Sequence, residues 1–183
     1  MTGVQTCALP ILRGAFPDRG EPEVTLEANP GTTERSRLPG FRRAGVNRLS
    51  LGVQSFDDAL LKRLGRAHRA RESHAALAAA ADAGFENLSL DLIFAVPGET
   101  CEQLDRDLES ATAAAPAHVS AYELSIEAGT PFARALGRGQ LKRPDEDAAV
   151  RMFERVGERL ETRGLARYEI SSFALPGHES VHN

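Results

Sequence analysis

Asn47-Arg48-Leu49-Ser50-Leu51-Gly52-Val53-Gln54-Ser55-Phe56 decides how this chain folds. Leu49, Leu51 and Val53 alternate with Arg48, Ser50 and Gly52, the period of two that belongs to a strand, and the alternation stops at the polar pair Gln54 and Ser55. The pair therefore sits at the carboxyl end of a strand. In parallel α/β sheets that is the end where ligands collect, because the loops that follow the strands converge there.

Working outward, three other runs repeat the arrangement: Val24-Thr25-Leu26 leads into Glu27, Leu88-Ser89-Leu90 into Asp91, and Val119-Ser120-Ala121-Tyr122 into Glu123. Each is expected to be a short strand that delivers a carboxylate to its end. One such carboxylate is equally well explained by helix capping or by loop amides; several at equivalent points favour a shared site. The segments between them are Ala-rich or amphipathic with helical period, so the order is β-α-β-α and the fold class α/β.

The punctuation between these strands is legible residue by residue. Asn29-Pro30-Gly31-Thr32-Thr33 is a turn into a helix, which Pro39-Gly40 is expected to break, leaving a short helical piece that ends at Ala44-Gly45. Asp57 is an N-cap for a helix over 58–64 that Gly65 closes, and 70–83 is an Ala-rich helix stopped by Gly84. Residues 87–94 are almost continuously apolar, as in a strand buried on both faces. Thr100-Cys101-Glu102-Gln103 matches a capping box, and Leu104, Leu108, Ala111 and Ala115 give the helix behind it one apolar face. In the last third, Gly129-Thr130-Pro131 and Gly137-Arg138-Gly139 bracket a short connecting helix. Pro144-Asp145 then opens a long helix, with Ala149, Met152, Phe153, Val156 and Leu160 at core spacing and Gly164 at its end. Residues 168–173 read as one more strand.

Composition narrows the function classes. Acidic residues number 26 against 22 basic ones with no basic stripe, which gives no support to nucleic-acid binding. No apolar run approaches the roughly 20 residues that span a bilayer. Residues 1–11 are set aside, because Val4 to Ile11 resembles the translation of a common sequencing adapter, which makes Cys7 foreign and places the true start further upstream. Only Cys101 then remains, no disulfide framework is possible, and a cytoplasmic, reducing compartment is expected. Cys101 reads as an ordinary first-turn residue, since no neighbouring base is visible. His68 and His74 read as solvated or capping side chains, since no third ligand has metal-site spacing. Arg66 falls on a loop between two helices, from which a guanidinium can reach a carboxylate ligand.

Five blocks in sequence carry a family resemblance that periodicity cannot supply: residues 26–32, 47–56, 64–68, 90–93 with 96–100, and Tyr168-Glu169-Ile170-Ser171 with His182-Asn183. Together they resemble the HemW haem chaperones, relatives of the oxygen-independent coproporphyrinogen III oxidases within the radical S-adenosylmethionine proteins. The resemblance implies a partial (β/α) TIM-like barrel, truncated at its N-terminus, that binds S-adenosylmethionine beside a 4Fe-4S cluster. It divides the chain into an adapter-like start over 1–11, a partial barrel core over 12–128 and the beginning of a C-terminal region over 129–183. Carried over by motif, Glu27, Gln54, Arg66 and Asp91 are expected to contact S-adenosylmethionine. Their chemistry fits: carboxylates accept from its amine and hydroxyls, Arg66 pairs with its carboxylate, and Gln54 both donates and accepts. His182 is implied as a haem ligand, a role for which neutral imidazole is a suitable donor.

The chain departs from the family in lacking the three-cysteine C-x-x-x-C-x-x-C loop that holds the cluster, which truncation upstream would explain; without it S-adenosylmethionine cleavage is not expected. The expected partners are haem or porphyrin and a haem-acceptor protein, with no nucleic acid and no transmembrane segment. Two other readings stay open. One is the oxidase, which decarboxylates porphyrin propionates. The other is a (β/α) barrel enzyme without radical chemistry, using Glu27 and Asp91 as an acid/base pair.

Overall fold

The computed structural model describes Ile11, Gly14 and residues 22–142 and 144–181, with 32 and 33 described by backbone alone. Residues 1–10 of the adapter-like start, and His182, lie outside the described residues. The elements run β1 (Thr25–Ala28), α1 (Thr32–Arg43), β2 (Arg48–Gln54), α2 (Asp58–Arg63), α3 (Ala70–Asp82), β3 (Asn87–Phe94), α4 (Cys101–Ala113), β4 (His118–Glu123), α5 (Pro131–Gly137), α6 (Glu146–Glu161), β5 (Ala166–Arg167) and β6 (Ser172–Ala174).

One six-stranded sheet has the order β1-β2-β3-β4-β6-β5. Its first four strands are parallel and sequential, and β6 and β5 join as an antiparallel pair beside β4. Sequential parallel strands joined through helices form an arc of a (β/α) barrel. Period-two alternation sorts the side chains onto its two faces. Leu49, Leu51, Val53, Leu90, Leu92 and Val119 point to the helices and are buried with Leu38, Leu77, Leu104 and Leu108. The other face carries Arg48, Ser50, Ser89, Asp91, His118 and Ser120, and it is polar. Residues 87–94 are thus not buried on both faces as expected: Leu88, Leu90, Leu92 and Phe94 are buried against the helices, whereas on the other face Ser89 is buried and Asn87, Asp91 and Ile93 are half-buried.

The caps expected at Asp57 and Thr100 are present. The Asp57 carboxylate accepts from the Ala59 and Leu60 amides at 2.8 and 3.1 Å, and Thr100 with Gln103 closes its capping box. Three local expectations fail. Pro39 does not break α1, which runs through it: Leu38 is fully buried and Phe41 packs on the core, so tertiary burial outweighs the lost helix hydrogen bond. Ala115 is not on the apolar face of α4, because the helix ends before it and Ala115 turns left-handed with φ 48°. Residues 168–173 do not form one strand. Residues 168–171 are the turn of the β5–β6 hairpin and 172–173 begin β6, with the Tyr168 amide donating to the Ser172 carbonyl at 3.1 Å.

That hairpin packs on α6 through Arg167, whose guanidinium lies 4.3 Å from the Phe153 ring centroid and 4.9 Å from that of Phe173. Asp105 of α4 receives Arg155 and Arg159 of α6. Among the described residues no helix is long and apolar enough to cross a membrane.

The start of β1 depends on one side chain. Asn47 Oδ1 accepts from the Val24 amide at 2.7 Å, and its Nδ2 donates to the Pro22 carbonyl at 2.9 Å. Replacing Asn47 with Ala removes both bonds and is expected to cost about 1–3 kcal/mol. In hydrogen exchange, protection should fall at the β1 amides and hold at β3; equal loss in both strands would contradict this local role.

Candidate ligand-binding site

The polar face of the arc encloses a concavity of about 240 Å³ lined by Glu27, Gln54 and Asp91, with Ser50, Ser89 and Ser120 between them. Three of the four strand residues expected at a shared site therefore meet. They do so differently from the expectation. Asp91 is not at the end of β3: Leu92, Ile93 and Phe94 continue the pairing with β4, so the carboxylate projects from mid-strand. Glu123, at the end of β4, shares the parity of Val119 and Ala121 and does not line the concavity.

Gln54 reaches the site through a local irregularity. Between Leu51 and Gln54 the register with β3 shifts, three residues of β2 spanning two of β3, which is a β-bulge. Gln54 itself is left-handed, with φ 69°. Its amide then folds over Gly52, where an added Cβ would lie 2.9 Å from Gln54 Nε2 and 3.5 Å from Asn29 Oδ1. Gly52 is thus part of the site although it offers no functional group, and the only sequence signal for it is a glycine inside a strand.

Asp91 is half-buried. Burial pushes its carboxyl above the ordinary range, the charge of Glu27 adds to that, and the Ser50 and Ser120 hydroxyls and the Arg48 guanidinium oppose it. The Ser50 hydroxyl stands 3.4 Å from both Asp91 oxygens. Arg48, 2% exposed, sits lower on the same face, 4.0 Å from Glu23. His118, 1% exposed, has the Ser89 hydroxyl at 2.8 Å from Nδ1 and the Tyr168 hydroxyl at 2.8 Å from Nε2. The Ser180 amide donates to that Tyr168 oxygen at 3.1 Å, so the C-terminal segment is tied to the floor of the concavity two residues before His182.

Arg66 is not brought into this concavity. It is exposed and lines a neighbouring one of about 460 Å³ with Asn29, Glu34 and His68. Gly52 lies where the two adjoin, between Gln54 of the first and Asn29 of the second. His68 is neither solvated nor a cap: it is buried, and its Nε2 meets the Val53 carbonyl at 3.0 Å, fixing the Arg66 loop against the end of β2. His74 is exposed and rests on Phe56, ring centroids 4.9 Å apart. Among the described residues no group of three or more His, Cys, Asp or Glu could hold a metal ion.

With this geometry in place, the comparisons with known proteins decide the family. The profile described as Radical SAM superfamily matches residues 7–111, more than half of the chain. The chain belongs to that superfamily. It is 40% identical over 161 residues to the heme chaperone HemW of Bacillus subtilis, covering 88% of this chain and 42% of that protein. It is also 40% identical over 172 residues to HemW of Escherichia coli, covering 94% and 44%. Among solved structures it resembles the radical SAM coproporphyrinogen III oxidase HemN of Escherichia coli, with a TM-score of 0.77 and 25% identity over 93% of this chain and 39% of that one. The chain thus spans under half the length of the curated relatives it matches, and its α/β arc is the partial barrel of a radical SAM protein.

The donor set of the two concavities fits S-adenosylmethionine: acceptors for an amine and a diol at Glu27 and Asp91, an amide at Gln54, and a guanidinium at Arg66 for a carboxylate. The same test fails for the iron-sulfur cluster, because the chain's two cysteines cannot supply three thiolate ligands. If Gly52 exists to admit the Gln54 amide, Gly52→Ala should lower affinity for the site's ligand about as much as Gln54→Ala, roughly tenfold, while the melting temperature moves little. Undiminished ligand affinity in Gly52→Ala would remove this role.

Proposed function

We propose that this chain is the S-adenosylmethionine-binding sector of a HemW-type haem chaperone working in the cytoplasm. The observation that carries the reading is the convergence of Glu27, Gln54 and Asp91 on one polar concavity, with Arg66 in the adjoining one. A ligand that touches all four crosses Gly52, so it must be elongated, with hydrogen-bond donors at one end and an anionic group at the other. S-adenosylmethionine has that form. Bound there, it supplies a sulfonium whose positive charge the Glu27 and Asp91 carboxylates favour, and its binding draws Asp91 towards the ionised state.

The 4Fe-4S cluster belongs to the same reading and is held by cysteines that this chain does not carry. Haem is the proposed cargo, His182 its proposed ligand, and an acceptor protein its destination. Supporting this placement, Ser180 both lines the concavity and is bonded to Tyr168, so the segment leading to His182 starts at the nucleotide site. The oxidase reading is favoured by the fold match alone, whereas identity favours the chaperones, 40% against 25%.

The test uses a full-length protein that carries this chain. Arg66→Ala and Gln54→Ala should each weaken S-adenosylmethionine binding about tenfold, the order of one lost charge-assisted or buried hydrogen bond. His182→Ala should lower haem retention and leave that affinity unchanged. Turnover of coproporphyrinogen without haem retention would replace the chaperone with the oxidase.

A further inference from the structure

The two strands that deliver Gln54 and Asp91 end in the same unusual way. β2 closes on Gln54 at φ 69° and β3 is followed by Ala95 at φ 58°, both non-glycine residues in left-handed backbone that must be held by their surroundings. In each case a buried carboxyl captures an amide just beyond. Asp107 of α4 accepts from the Phe56 amide at 2.8 Å, and Glu99 accepts from the Val96 amide at 2.9 Å. Ser55, fully buried, stands between Gln54 and Phe56 and also bonds Asp107. The first turn of α4 reinforces the first loop, with Gln103 Nε2 donating to Asp57 at 3.0 Å.

Neither Asp107 nor Glu99 lines the ligand concavity. Glu99 is 7% exposed, and its Oε1 has no hydrogen-bond partner among the described residues. A carboxylate left in that state costs far more than a neutral carboxylic acid.

We propose that Asp107 and Glu99 are positioning residues that act together as a proton-dependent latch: they hold the left-handed strand ends and thereby aim Gln54 at the ligand without touching it. The proposal rests on the reading of the concavity as the S-adenosylmethionine site. The groups facing the latch are Asp57 on the β2–α2 loop, Arg63 of α2, which donates to the Pro97 carbonyl, Arg106 of α4 on its outer side, and the two histidines against the end of β2, His68 on Val53 and His74 on Phe56. No cation pairs with the Glu99 carboxyl among the described residues.

The sign of the pH dependence follows. Burial first, and then the charges of Asp107 and Asp57, push the Glu99 carboxyl up to about 7. Burial likewise pushes Asp107 up to about 6, with Asp57 adding and the Ser55 hydroxyl and Phe56 amide opposing. Both values lie above those of the unfolded chain, so the folded latch binds protons more tightly. Its contribution is complete below the ordinary carboxylate range and is lost as pH rises through about 6 to 7.

The experiment compares wild type with Glu99→Gln, which keeps an acceptor for Val96 and cannot ionise, in a full-length protein carrying this chain. Two quantities are read between pH 5 and 8: hydrogen-exchange protection of the Phe56 and Val96 amides relative to the intrinsic rate, and S-adenosylmethionine affinity. In wild type both should fall, affinity by about fivefold, the weight of one hydrogen bond. In Glu99→Gln the protection profile should flatten and the affinity should no longer fall with pH. Profiles that follow wild type would overturn the latch, and so would flattened protection with an affinity that still falls, since the loops would then be uncoupled from the site. Asp107→Asn, judged by the same criteria, decides the matter if Glu99→Gln does not fold. Failure of wild type to bind S-adenosylmethionine at any pH would overturn the ligand reading instead, and the amide protection would still judge the latch.

Discussion

The structure depends on a division of chemistry between the two faces of four parallel strands. On the helix side, Leu49, Leu51, Val53, Leu90 and Val119 are fully or almost fully buried, and each such side chain is worth about 1.5–3 kcal/mol against water. The other face is released from packing duty and can carry Glu27, Arg48, Asp91 and three serines, groups that would be ruinous in a core. Alternation with a period of two is what keeps the sets apart, so an irregularity in it has a large effect on one side chain. The bulge near the end of β2 is such a place, and the side chain it redirects is Gln54.

Much of this was legible in the sequence because its causes are local. The strand at 48–54 announces itself through Leu49, Leu51 and Val53, and the caps at Asp57 and Thr100 through residues two or three positions away. What was not legible has causes far along the chain. Pro39 continues a helix because Leu38 and Phe41 are packed from outside it. The turn at 168–171 follows the Tyr168 hydroxyl to His118, 50 residues earlier, so a run with strand-like composition reverses instead. His68 has the sequence surroundings of a surface histidine, but the Val53 carbonyl, 15 residues back, holds it inside.

The site divides in the same way. That Glu27, Gln54 and Asp91 share a site could be read from the polar residue each strand-like run delivers to one face, although the register sets Glu27 level with Ser50 and Ser89 rather than with Gln54 or Asp91. The position of Asp91 within its strand could not. The residues after it are as apolar as those before, and only pairing with Ala121, Tyr122 and Glu123 shows that the strand continues. Arg66 falls on a loop, a position that fixes no direction, and it lines the neighbouring concavity.

The charged groups on the inner face act on one another. Arg48 lies near Glu23 and lowers the carboxyl of Asp91, which Glu27 raises; the Ser50 and Ser120 hydroxyls supply what the guanidinium does not. His118 separates this acidic level from the C-terminal hairpin, with the Ser89 hydroxyl on one ring nitrogen and the Tyr168 hydroxyl on the other. The hairpin is therefore held to the barrel floor through His118, beside the level where Glu27, Asp91 and Arg48 act on one another. A substitution that charges this layer would disturb the ligand face and the hairpin together, because His118 is common to both.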